Sequence, residues 1–127
     1  MPNRRFARRT HREAARLAAA GDHPAALAAF AAAAVEYRDR LEAHPGDRAS
    51  REDFADLLAA RARSFAAVGD YAQAYAAERE RDRVADELGG DGAERAGRRL
   101  DLAEAAVRAG RLLTAAVQAD AALGALD

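Results

Sequence analysis

The chain has 127 residues, half of them hydrophobic, a net charge of −1 and no cysteine. That length supports one domain with its own core. The missing cysteine excludes a disulfide framework, a thiolate metal site and a thiol nucleophile. The longest apolar run, Ala25 to Val35, is mostly alanine and far short of the roughly 20 residues a membrane-crossing helix needs. No compact apolar stretch with a small-residue cleavage site follows the arginine-rich start. A cytoplasmic protein that does not span a membrane is expected.

Residues 1–20 carry Arg4, Arg5, Arg8, Arg9, Arg12 and Arg16 against one acid, Glu13. Residues 1–9 are expected as a basic, solvated arm ahead of a helical domain at 10–127. Thr10-His11-Arg12-Glu13 has the form of a capping box, a hydroxyl that accepts from a first-turn amide and an acid that reaches back, so a first helix is expected over about 11–20. Gly21 ends it, and Asp22 caps a second over 23–43, where Leu27, Phe30, Ala34, Tyr37 and Leu41 step by three and four along one face. Pro45-Gly46 breaks the chain, and Ser50-Arg51-Glu52-Asp53 opens a third helix over 51–68, with Phe54, Leu58, Ala62 and Phe65 on its inner face. Gly69-Asp70 turns into a fourth over 71–88. Gly89-Gly90 and the Asp91-to-Glu94 cap open a fifth over 92–109, and Gly110 separates it from a sixth over 111–126. Nothing alternates with period two for long enough to suggest a strand. The fold class is all-α: six helices in three antiparallel hairpins, at about 10–45, 50–88 and 91–127.

An internal repeat emerges when the chain is aligned on Gly21, Gly69 and Gly110. Seven residues before them stand Ala14, Ala62 and Ala103; five after stand Ala26, Ala74 and Ala115. Small residues at those places let two helices of a hairpin cross closely. Gly21-Asp22-His23-Pro24-Ala25-Ala26-Leu27 and Gly69-Asp70-Tyr71-Ala72-Gln73-Ala74-Tyr75 resemble the turn of a tetratricopeptide repeat, and the resemblance spans about residues 10–126. Glu78 and Arg81 stand where that family has apolar or small residues. The glycines lie 48 and 41 residues apart, against about 34 in the family. The excess is close to whole helical turns, which keeps each buried face in phase. With Tyr37-Arg38-Asp39-Arg40-Leu41 before the Pro45 loop, the chain looks like the long-repeat variety common in actinobacterial proteins.

The resemblance implies a short right-handed solenoid whose first helices line a concave groove for a protein or peptide. Carried over by spacing from the turn glycines, the groove-facing positions are Arg8, His11, Ala15 and Ala18, then Asp56, Ala59, Arg63 and Ala66, then Leu100, Glu104, Val107 and Arg108. Alanines with a few arginines imply a shallow groove suited to an acidic segment, because a guanidinium fork pairs a carboxylate bidentately. The carboxylate clamp that holds chaperone tails is not expected, since it needs asparagine and lysine in the groove and the one asparagine here is Asn3. Leu112, Leu113, Val117 and Leu123 form a broad apolar stripe near the end of the chain, and a homodimer or obligate complex through the last hairpin is expected.

Little in the sequence carries chemistry. His11, His23 and His44 have no second histidine at metal-ligand spacing. Gly89-Gly90-Asp91-Gly92 lacks the strand and the Lys-Ser/Thr pair of a phosphate loop. Ser50 and Ser64 have no histidine and acid in sequence reach. Asp53 and Asp56 are first-turn acids that suit a helix dipole, and the run from Glu78 to Arg83 is a solvated face of i,i+3 pairs. No catalytic, cofactor or metal site is expected. The function expected is a non-catalytic adaptor or scaffold. The alternatives are a regulatory module whose basic arm contacts nucleic acid or an acidic regulator, and an accessory subunit of an enzyme.

Overall fold

In the computed structural model the backbone is described for residues 4–124 and the side chains for residues 4–111. Five α-helices account for it: α1 (Arg4–Ala19), α2 (His23–Ala43), α3 (Arg48–Ala67), α4 (Tyr71–Asp86) and α5 (Gly92–Gly124). No described residue is in a strand, and no helix among the described residues is long and apolar enough to cross a membrane.

The turns work as their residues dictate. Gly21 and Gly69 adopt φ of 83° and 81°, the left-handed conformation that a side chain disfavours. Asp22 and Asp70 then cap α2 and α4, each accepting from the amide three residues on. Asp91 does the same for Glu94 at 2.8 Å.

Two starts differ from the sequence expectation. The α1 helix begins at Arg4, so most of the expected basic arm is its first two turns. Ala7 is fully buried there, and Thr10 caps nothing: its hydroxyl donates back to the Phe6 carbonyl. The α3 helix is capped by Asp47, which accepts from both the amide and the hydroxyl of the buried Ser50. Those bonds and the Arg40 guanidinium hold the Asp47 carboxyl well below the usual range.

The larger correction concerns the end of the chain. No turn forms at Gly110. The α5 helix runs through it for 33 residues, so five helices replace six and the third hairpin is a single rod. A glycine inside a helix costs about 1 kcal/mol relative to alanine but does not forbid the helix. Unlike Gly21 and Gly69, Gly110 is followed by Arg111-Leu112-Leu113, with no aspartate to cap a new helix.

Each helix packs on the next in chain order, and α1 also touches α3. The core cluster comes from the first three helices: Ala7 and Ala14 of α1, Ala26, Phe30, Ala33, Ala34 and Tyr37 of α2, and Phe54, Leu57 and Leu58 of α3. Tyr37 stacks on Phe54 with ring centroids 5.9 Å apart. The small residues singled out at the hairpin crossings are where they are needed, with Ala14, Ala26, Ala62 and Ala74 all buried. Their third-repeat counterpart Ala103 is exposed, because no helix folds back over it, and the side chain of Ala115 lies outside the described residues.

Candidate interaction surface

The α4 helix forms the floor of a trough between α3 and α5, which do not touch each other among the described residues. Helical spacing sets its lining. Ala62, Arg63 and Ala66 come from α3, Ala74, Glu78 and Arg81 from α4, and Asp101, Glu104, Ala105 and Arg108 from α5, around a cavity of about 280 Å³. A second cavity of about 520 Å³ continues past Arg81 and Asp101, lined by Glu52 and Asp56 of α3, Ala85 of α4, and Glu94, Arg98 and Leu100 of α5, among others. Ala74 and Ala85 keep the floor shallow, Glu78 and Arg81 rise from it, and the other charges lie along the walls.

Those charges are uneven. At the first cavity Arg63, Arg81 and Arg108 face Glu78, Asp101 and Glu104. At the second, Glu52, Asp56, Glu94 and Asp101 outnumber Arg81 and Arg98. Arg81 is held by Glu78 at 3.2 Å and Asp101 at 3.1 Å. Arg63 and Arg108 are exposed, with no hydrogen bond or ion pair to a described residue. Glu78, at a position where the resembling family has an apolar or small residue, is largely buried; desolvation raises its carboxyl above the ordinary value although Arg81 pulls it down.

Beneath the second cavity lies a buried ionic contact between α4 and α5. The Arg98 side chain is only 10% exposed and sits 3.7 Å from Asp82 and 3.1 Å from Asp86. Its Nε and the nearer Asp82 oxygen are both buried without a hydrogen bond. Arg95 also reaches Asp86, at 3.6 Å.

Of the expected groove residues, Arg63, Glu104 and Arg108 meet in the first cavity, and Asp56 lines the second. Arg8 and His11 are elsewhere, on α1 beside the start of α3. Arg4 and Arg8 lie 3.2 and 3.6 Å from Asp53. His11 Nδ1 shares a 3.2 Å hydrogen bond with the Tyr37 hydroxyl and meets Phe30 edge-on. Burial lowers the His11 pKa, against the pull of Asp53 and Asp56, and raises that of Tyr37. His11 is thus a partly buried histidine packed against the core rings of Phe30 and Tyr37. The self-association residues Leu112, Leu113, Val117 and Leu123 have side chains outside the described residues.

Sequence reasoning missed Glu78, Arg81, Arg98 and Asp101 as trough residues. The first two were visible as departures from the repeat, at positions where the family faces inward. Among the described residues no group of three or more histidines or acids is placed to hold a metal ion. The chain matches no protein-family model, no curated protein and no solved structure.

Proposed function

We propose that the chain is a non-catalytic interaction module, an adaptor or scaffold of tetratricopeptide-like hairpins in a short right-handed solenoid, which holds a segment of a partner protein in the α3–α4–α5 trough. One observation carries this: the trough offers two exposed arginines, Arg63 and Arg108, with no hydrogen bond or ion pair to a described residue, at one end, and a surplus of carboxylates around Asp56 at the other. A uniformly acidic segment, expected from the arginines alone, meets repulsion at the Asp56 end. The better partner places an acid against Arg63 and Arg108 and a base against Glu52, Asp56 and Glu94, so charge complementarity fixes its direction. Arg4 and Arg8 are engaged by Asp53, which favours this use over a nucleic-acid contact through a basic arm.

The test is affinity capture from native cell extract with the wild type, Arg63→Glu and Asp56→Arg, followed by identification of the bound segment. A partner lost with both variants, and regained with Arg63→Glu when its own acid is reversed, is the expected result. A partner that both variants retain would sink the trough as its site.

A second reading, a homodimer through α5, is favoured by Leu100 and Val107, which are 62% and 51% exposed and lie with Ala103 on one stripe of the helix. Sedimentation of the wild type and Val107→Glu checks it. A concentration-dependent dimer weakened by the substitution supports self-association, and a monomer at high concentration removes it.

A further inference from the structure

Arg61 stands two residues before Arg63, about 200° round α3, and so on the side of the helix turned away from the trough. Its guanidinium lies 5.3 Å from the centre of the Phe65 ring. Arg38 of α2 lies over Phe54 in the same way, at 5.5 Å. A ring face under each planar cation limits where it can swing. Their charges are treated differently by the protein. Glu80 of α4 accepts from both Nη2 and Nε of Arg38, at 2.6 and 3.3 Å. Arg61 makes no hydrogen bond or ion pair to a described residue, and its Nε is buried with no acceptor.

Both guanidiniums, Glu80 and Gln73 line one cavity of about 200 Å³. Two cations against one anion leave a single positive charge in excess, held in a partly desolvated place with a donor unused. Desolvation and the neighbouring Arg38 both make the charge on Arg61 less comfortable, and Glu80 only partly relieves it.

We propose that this cavity is a carboxylate-binding site, which takes the aspartate or glutamate side chain of a partner docking away from the trough. The charge excess selects a monoanion: a phosphate dianion would set two negative charges beside Glu80, whereas one carboxylate balances the cavity. The Arg61 Nε is buried, so the edge left to pair two carboxylate oxygens is the one formed by its two Nη groups. The site is independent of the trough, since Arg61 and Arg63 face different sides of α3, and the partner surface it adds stands even if the trough binds nothing.

The test uses the whole chain labelled with ¹⁵N, followed at the arginine Nε–H resonances and at Gln73. Sodium acetate is the probe, with sodium chloride at equal ionic strength as the reference. The Arg61 Nε–H signal should shift saturably with acetate and not with chloride. Arg61→Gln should abolish the saturable response at Gln73, while Arg63→Gln on the other side should leave it unchanged. Arg61→Lys keeps the charge but not the fork, and should weaken acetate roughly tenfold, as expected for losing one charge-assisted hydrogen bond. An Arg61 shift no larger than that of the exposed Arg9 would overturn the proposal, as would a saturable Gln73 response that survives Arg61→Gln. Inorganic phosphate saturating at tenfold lower concentration than acetate would overturn the choice of a carboxylate.

Discussion

The contact among α1, α2 and α3 is dry, made of Phe30, Tyr37, Phe54 and Leu57 fitted between alanines, whereas the contact between α4 and α5 is a set of ion pairs around Arg81 and Arg98. No apolar residue of α5 is buried among the described residues. Apolar burial contributes about 25 cal/mol per Å² and is not weakened by charge screening. A buried ion pair roughly offsets its own desolvation, so it fixes position more than it adds stability. The first three helices therefore form the stable body, and α5 is a positioned but weakly held wall of the trough. Local opening at α5 should need much less free energy than global unfolding.

The hardest blow to this division is Phe30→Ala. It removes a fully buried ring and should cost about 3–5 kcal/mol, seen as cooperative loss of the whole fold in a denaturant titration. Next is Arg98→Ala, which strands Asp82 and leaves Asp86 to Arg95 and Arg99. A local cost of about 1.5–3 kcal/mol is expected, with faster amide exchange in α5 while α1–α3 keep their protection. Exchange rising equally in all helices would show that the two regions are one cooperative unit.

Gly110→Ala tests the rod by its sign. An added Cβ meets nothing within 4 Å, so a continuous helix should gain about 1 kcal/mol. A turn with positive φ there would lose stability instead.

Tyr37→Phe should cost about 1 kcal/mol through the lost bond to His11, read as a shifted denaturation midpoint. His11 adds a pH dependence confined to the body. Its folded pKa lies below the ordinary 6.5, so the unfolded chain binds the proton more readily. That contribution is complete above about pH 6.5 and is lost as the pH falls through that value toward the folded one. A His11→Gln variant should show a flatter stability profile between about pH 7 and pH 5.5. The smallest effect expected is from salt: 1 M sodium chloride, with a Debye length of about 3 Å, should loosen α5 by a few tenths of a kcal/mol, and in α1–α3 it should weaken ion pairs such as those of Arg4 and Arg8 with Asp53.

Much of this molecule was legible in its residues. The all-α class follows from alanine and arginine content and from apolar steps of three and four. The turns at Gly21 and Gly69 follow from a glycine that can take positive φ beside an aspartate that can cap. Arg63, Glu104 and Arg108 were grouped by the tetratricopeptide resemblance, and they share the first cavity although the Gly110 turn from which the last two were counted does not form. The packing of His11 against the core was not legible, since its partners Phe30 and Tyr37 are brought to it by the crossing of α1 and α2. Asp47 was passed over as a cap because Ser50, three residues on, has the same local signature; only the path of the chain out of α2 chose between them.

The sequence by itself determined the all-α class, the apolar faces of α2 and α3 and the turns at Gly21 and Gly69, since these depend on a few neighbouring residues. Tertiary structure alone decided that Gly110 does not turn, that Arg4 and Arg8 belong to a packed helix, and that α5 is held by charge. The reason is that a glycine or an arginine permits several outcomes. The choice falls to whatever packs against it: Asp53 for Arg4 and Arg8, and Asp82 and Asp86 for Arg98.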